Sequence, residues 1–420
     1  MAHMHNSRYR ALLRNNWQQA RIAILNLARH RRRSGLALAI ICGGVVCFLL
    51  AGGFINWLLW GMREGAIQSQ LGHVQITRPG YFREGISDPY RFLLGNDLGA
   101  ITGGAGFSIR TIAPRLAFTG LLSKGDTTIS FIGEGIDPRA EEPISRAIST
   151  VEGSDLRQSG PDSVVLGEGL AESLGAHPGD RVVLLGTTVT AGINAVELVV
   201  AGTFTTPVKA YDDSSLRVPI EVARKLMRVE GATSWIVLLD DTDHTEVAVK
   251  ALRASMPPEQ YEIIPWSDLA DFYNKTVELF GTQVHIVRTL IAVIVVLSIS
   301  NTLSMAVMER TTEIGTSMAL GLRRRSILTL FIWEGGMLGL FAGLLGVSVA
   351  LLLGWAISVV GIPMPPPPGM ARGYIARIDI SAALALQGFL LAFITTMVAS
   401  ILPAWKASRM NIVDALRHQS

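Results

Sequence analysis

Four stretches of this chain are apolar enough to cross a bilayer, and about 220 residues separate the first from the second. A helix needs about 20 mostly apolar residues to span the hydrocarbon. Residues 36–60, 289–308, 327–362 and 380–402 meet that requirement, with Asn56 the one strongly polar member of the first run. The third run exceeds one span, and tilt or a protruding helix end would absorb the excess. Charged residues make up only 17% of the chain, against about 25% in soluble domains. The composition therefore excludes a disordered or disulfide-framework protein and fits a membrane protein with a large water-soluble part. The first run is too long for a cleaved signal peptide, and no small-x-small site follows Trp60.

Charge sets the expected orientation. Residues 1–35 hold eight arginines and no acid, and the stretch between runs two and three carries Arg310, Arg323, Arg324 and Arg325. The tail adds Lys406, Arg409 and Arg417. Residues 61–283 hold 19 basic and 29 acidic side chains, a net of −10. Positive charge stays inside, so both termini are expected in the cytoplasm and residues 61–283 outside. Arg372 and Arg377 in the second external loop are mild exceptions. The expected divisions are a cytoplasmic segment 1–35, helix 36–60, external domain 61–283, helix 284–308, cytoplasmic loop 309–326, helix 327–362, external loop 363–379, helix 380–402 and tail 403–420. Within residues 15–29, Trp17, Ala20, Ile24 and Leu27 share a helical face, the pattern of an amphipathic helix on the inner leaflet or of an ordinary basic tail.

The external segment reads as α+β. A strand is expected at 73–77, and a hairpin over 115–122 and 127–132 around Ser123-Lys124-Gly125-Asp126. A strand–helix–strand unit is expected over 164–185, with further strands at 196–200 and 235–239 and a helix at 246–255. A Gly- and Pro-rich insertion falls around 80–110. Candidate chemistry is weak. Gly167-Glu168-Gly169 lacks the central serine of a nucleophile elbow. Asp240, Asp241, Asp243 and His244 fit a solvated loop and helix cap better than a metal site. Gly103-Gly104-Ala105-Gly106 lacks the strand–helix context of a phosphate loop, and no Gly-x-x-x-x-Gly-Lys-Ser/Thr occurs. Cys42 and Cys47 lie in one apolar run, and no metal site is expected.

The cytoplasmic loop says more. Residues 308–327 are expected to continue the second helix out of the membrane, break at Gly321 and re-enter through basic residues. Ile314, Met318 and Leu322 recur at i, i+4 and i+8, giving one apolar face that suits either a groove on a soluble partner or lipid headgroups. Glu309 and Glu313, also i, i+4, would share a face. Glu334 lies about 10 Å of helical rise beyond the basic entry, near the inner interface, where Arg310 or Arg324 could pair with it. Gly335, Gly339 and Gly343 are at small-xxx-small spacing, which lets helices approach closely, and Gly43, Gly44, Gly52 and Gly53 could act similarly. Trp57 and Trp60 suit the outer aromatic belt, and the Pro-rich run 363–369 reads as a stiff spacer or a brace.

Glu309-Arg310, Glu313-Ile314-Gly315, Ala319-Leu320-Gly321 and Glu334 resemble the FtsX/MacB-type permeases of ABC transporters. Pro403-Ala404, Ala407-Ser408 and Ala415-Leu416-Arg417 resemble that family's C-terminal signature. Gly133-Glu134-Gly135-Ile136-Asp137-Pro138, the run from Val165 to Ala171 and Gly179-Asp180-Arg181-Val182 resemble its periplasmic domain. The resemblance implies four transmembrane helices with a large MacB-like α+β periplasmic domain between the first two. It implies a permease in a bacterial inner membrane, paired with a second permease, identical or not, and driven by a cytoplasmic ABC ATPase dimer that holds ATP and Mg. The chain itself would bind no cofactor and no nucleic acid. Glu309, Arg310, Glu313, Ile314, Gly315, Met318, Gly321, Arg324 and Glu334 would couple it to the ATPase. A dimer interface would run through spans one and two. The layout, without a fused ATPase, looks closest to lipoprotein-releasing permeases. A lipid or lipoprotein would be moved at the periplasmic side by transmitted force, without a polar path through the bilayer, and a periplasmic carrier could receive it. Phe54, Trp57, Leu58 and Trp60 are the candidate cargo contacts. Export of a small amphiphile, drug or peptide, and a non-transporting relay to cell-wall hydrolases, are the alternatives.

Overall fold

The computed structural model describes residues 29, 31–85, 88–96, 101, 106–365 and 373–410. Expectations for 15–28, 103–105, 366–372 and 411–420 lie outside them. In chain order the elements are α1 (Arg31–Ala66), a π-turn (Ile67–Leu71), β1 (Val74–Thr77), β2 (Ile109–Lys124), β3 (Thr127–Ile136), α2 (Pro138–Glu141) and β4 (Ser149–Gly153). Then come β5 (Ser163–Gly167), α3 (Glu168–Leu174), β6 (Arg181–Thr187), β7 (Ile193–Thr205), α4 (Lys209–Asp212), β8 (Ser215–Pro219) and α5 (Ile220–Met227). They are followed by β9 (Ser234–Leu239), α6 (Thr245–Ser255), β10 (Glu262–Pro265), α7 (Trp266–Leu269), α8 (Asp271–Glu309) and α9 (Thr311–Ala319). The last are α10 (Arg324–Val360), β11 (Ile362–Met364), β12 (Tyr374–Ala376) and α11 (Ala382–Ser408). The chain divides into two compact units, one of residues 1–58, 277–362 and 375–420, the other of residues 59–276 and 363–374.

In the helical unit, four helices are long and apolar enough to cross a membrane. They outrun the apolar windows because helix propensity does not stop where hydropathy does. α8 has 39 residues, a rise of about 58 Å, so its apolar part marks only the inner portion. Ile41, Val45, Phe48 and Leu49 of α1 pack with Val295, Ile299 and Leu303 of α8 and with Leu338, Ala342, Leu391 and Ala399 of α10 and α11. α10 meets α11 along its glycines. A Cβ on Gly335 would lie 2.6 Å from the Ser400 Cβ, one on Gly339 2.0 Å from the Thr396 Oγ1, and one on Gly343 3.0 Å from the Phe389 ring. The stripe is thus a contact within the chain.

In the external unit, strand pairing closes on itself. β2 pairs with β3, β3 with β8, β8 with β5, β5 with β7, β7 with β6, and β6 with β2 again. This six-stranded ring encloses Leu116, Phe118, Leu122, Phe131, Val164, Leu184, Leu198 and Leu216. Gly133 is needed there, because a Cβ would lie 2.4 Å from the Phe118 ring. The first half of β2 also pairs with β9, which continues through β1 to β10. On that wing α6 buries Ala248, Val249 and Leu252 with Trp235 and Val237. The expected hairpin is present, with longer strands joined through Gly125 and Asp126, and Gly125 has φ +56°. The expected strand, helix and strand over 164–185 are present as β5, α3 and β6, and β7 lies between the two strands, pairing with both. The second external loop carries the short pair β11–β12, which the proline run concealed.

Candidate functional site: a cytoplasmic elbow and a grip on the first helix

The elbow begins where α8 ends. The expected uninterrupted helix does not form: Arg310 leaves helical geometry at φ −102°, ψ 15°. The Thr311 hydroxyl donates to the Val307 and Met308 carbonyls at 3.1 and 2.8 Å, which caps α8 locally. The Ile314 amide then restarts the ladder on the Arg310 carbonyl at 2.9 Å. Glu309 and Glu313 therefore sit on different helices and share no helical face. The break at Gly321 is present, and its φ of +93° is open to glycine and strained for other residues.

The apolar face of α9 also turns out differently. Ile314, Gly315 and Met318 are buried, the two side chains packing with Val307, Ile327, Phe331, Ala404 and Ala407 of the same chain. Leu322, expected on that face, is 49% exposed and Leu320 is 90% exposed. Periodicity identified the stripe but not its partner, since the lower ends of α8, α10 and α11 fill the place where an ATPase groove was expected. The surface left open carries Glu309, Glu313, Leu320, Gly321, Leu322, Arg323, Arg324 and Arg325. Beneath it Glu334 is buried, with the Arg310 Nη1 at 3.7 Å from its Oε1. Arg310 thus ties the elbow's corner to α10, while Arg324 stays exposed.

The external unit holds a second polar cluster, absent from the sequence expectations. Arg115 of β2, Glu134 of β3, Glu141 of α2 and Arg217 of β8 form a buried ion network. Arg115 grips Glu141 through Nε, 3.2 Å from Oε2, and through Nη2. Arg217 Nη2 lies 2.9 Å from Glu134, whose other oxygen is 3.7 Å from Arg115. Burial would raise the Glu134 carboxyl, but Arg115 and Arg217 hold it below the usual range. Both guanidinium groups also reach the π-turn that ends α1. Arg115 donates to the Gln70 carbonyl, and Arg217 donates to Ser69 O at 3.1 Å and to Ser145 Oγ at 3.1 Å. Helix-end carbonyls need donors, and here two buried cations supply them. The legible signal was a charge set in an apolar strand: Arg115 beside Ala113 and Leu116, Arg217 between Leu216 and Val218.

A polar chain adds a second hold. Thr242 Oγ1 donates to Glu64 of α1 at 3.0 Å, His73 Nε2 meets Thr242 Oγ1 at 2.9 Å, and His73 Nδ1 accepts from the Leu239 amide at 2.9 Å. Only neutral imidazole, protonated at Nε2, satisfies all three contacts. Burial lowers the His73 pKa to about 4. The unfolded chain then binds the extra proton first, so stability is full above pH of about 6.5 and falls as pH drops towards 4. Thermal unfolding of the full chain should show that loss, and His73→Gln should flatten it; an unchanged slope would contradict the assignment.

Of the candidate cargo contacts, Trp60 is 53% exposed and Phe54, Trp57 and Leu58 are half-buried. Gly44 and Gly52 contact Ile291 and Leu384 within the chain, and Gly43 faces open space.

Residues 34–255, which include the buried ion network, match the family model of the MacB-like periplasmic core domain. Residues 286–412, which include the elbow, match that of the FtsX-like permease C-terminal region. The chain belongs to the FtsX/MacB family of ABC transporter permeases. Its four long apolar helices and the α+β periplasmic domain between the first two are that family's arrangement. It is 27% identical over 272 residues to an uncharacterised ABC transporter permease of Methanocaldococcus jannaschii, covering 63% of this chain and 65% of that one. It is 28% identical over 281 residues to the lipoprotein-releasing system transmembrane protein LolC of Neisseria meningitidis, covering 62% and 66%. Against the macrolide export ATP-binding/permease protein MacB of Hyphomonas neptunium it is 31% identical over 212 residues, covering 49% and 30%. The FtsX/MacB permease described here thus spans about two thirds of the length of the first two relatives. Its matched segments are the periplasmic core and the permease C-terminal region.

Proposed function

We propose that this permease converts ATP hydrolysis by a separate cytoplasmic ATPase dimer, which holds ATP and Mg, into movement of its periplasmic domain. Its cargo is a lipid or lipoprotein at the outer leaflet of a bacterial inner membrane. Both termini lie in the cytoplasm, and a second permease completes the machine. The buried Arg310–Glu334 pair beneath an exposed, charged elbow carries this reading. Pressure on the elbow reaches α10 through that pair, and an ion pair held out of water resists separation. Glu309, Glu313, Leu320, Leu322 and Arg324 contact the ATPase. Ile314, Gly315 and Met318 support the elbow from inside, and Gly321 lets it turn.

At the other end, the buried arginines hold carbonyls of the π-turn that ends α1, so a shift of that helix is resisted by the strand ring rather than absorbed in a loop. Phe54, Trp57, Leu58 and Trp60 contact the acyl part of the cargo, which a periplasmic carrier then takes. The likeness to a lipoprotein-releasing protein supports this cargo over a drug.

Co-purification with the ATPase and its stimulation in proteoliposomes test the coupling. Reversing Glu313 and Arg324 and replacing Leu320 by serine should lower stimulation about tenfold, the loss of one interface anchor. Unchanged stimulation with intact assembly would refute the contact. Mass spectrometry of cargo extracted with native lipid tests the rest: an acylated protein supports the reading, and a small amphiphile replaces it.

A further inference from the structure

In the helical unit, α8 and α11 border a groove of about 420 Å³. His285, Arg288 and Thr289 stand at one end, and Ala292, Val293, Val296 and Leu391 line the rest. The order of these residues along α8 matters. From Arg288 to Glu309 the helix rises about 32 Å, and the hydrocarbon core is about 30 Å thick. With the elbow at the inner surface, Arg288 falls at the outer headgroup plane. Ala292 and Val296 then lie about 6 and 12 Å deeper.

Arg288 is exposed and makes no ion pair or hydrogen bond with other described residues. A lone cation at the membrane surface attracts an anionic headgroup, and guanidinium fits phosphate through paired donors. Thr289 turns its hydroxyl back onto the His285 carbonyl at 2.8 Å, which leaves Arg288 and the His285 ring as the polar mouth. Below them the apolar wall accepts a chain without competing polar groups. A cationic mouth above an apolar trough has the polarity of a phospholipid standing in the outer leaflet.

We propose that this groove is a binding site for an anionic phospholipid. The phosphate sits at Arg288 with His285 beside it, and one acyl chain lies along Ala292, Val293 and Val296 against Leu391. The site rests on the proposed orientation, with α8 spanning the membrane and the elbow inside, and stands independently of the ATPase contact and of the cargo.

Native mass spectrometry of the full chain, titrated with phosphatidylglycerol or phosphatidylcholine of matched chains, tests it. The wild type should retain phosphatidylglycerol about fivefold better, the preference expected for one cation at a membrane surface. Arg288→Ala should abolish the preference while leaving thermal stability unchanged. Arg288→Lys should keep most of it. Ala292→Leu, which narrows the trough, should weaken both lipids equally. Equal retention of the two lipids by the wild type, or a preference that survives Arg288→Ala, would overturn the proposal.

Discussion

Replacing Arg217 by methionine should destabilise the periplasmic domain by about 3–5 kcal/mol, the usual result of removing one partner from a buried ion pair. Of its two cations Glu134 would keep only Arg115, at 3.7 Å, and the carbonyl of Ser69 would lose its 3.1 Å donor. For a domain of this size, the loss lowers the unfolding midpoint by about 10 °C. Replacing Arg217 by methionine and Glu134 by leucine together should recover most of it, because the Arg115–Glu141 pair then balances alone. Thermal unfolding of the full chain, followed by limited proteolysis of the periplasmic segment, gives the comparison. Equal losses in the single and double variants would show that packing of the guanidinium stem, not its charge, matters. The double variant separates folding from coupling as well. It should fold yet leave the α1 terminus held by Arg115 alone, so stimulated turnover should fall while basal ATPase activity stays.

Gly339→Ala should disrupt the α10–α11 contact. The added methyl would lie 2.0 Å from the Thr396 hydroxyl oxygen, 3.1 Å from its Cβ and 3.2 Å from the Phe393 Cα. Overfilling a packed interior costs about 1–3 kcal/mol, and backbone on one side leaves little room to yield. Pairing the change with Thr396→Ala removes the nearest atom and should restore part of the loss. Gly336→Ala is the control, because its Cβ meets nothing closer than 4.0 Å. Melting of detergent-purified protein measures all three. A Gly339→Ala variant as stable as Gly336→Ala would refute the tight contact.

Much of the architecture was legible because membrane spans declare themselves by length and charge. The four helices, the external domain, its hairpin and the Gly321 turn follow from local rules that act over a few residues. The break at Arg310 was hidden because Thr311 can end a helix with its hydroxyl or sit quietly inside one. The burial of Ile314 and Met318 was hidden for another reason: an apolar stripe states that something covers it, not what. The ion network required knowing that three strands and a helix distant in sequence bring Arg115, Glu134, Glu141 and Arg217 together. Each alone reads as a surface charge, and only their placement in apolar strands hinted otherwise. The closed strand ring was likewise beyond pattern, since β6 pairs with two strands and β7 with three, and no spacing reveals those partners.

That closure has a consequence for life in a crowded compartment. Strands with unpaired rims invite other chains to add on, which leads to clumping. Here the main sheet ends only at β4 and β10, strands of five and four residues, and the middle is joined edge to edge. A domain that must be tugged repeatedly beside other envelope proteins is thereby left with little that a stray strand could zip onto.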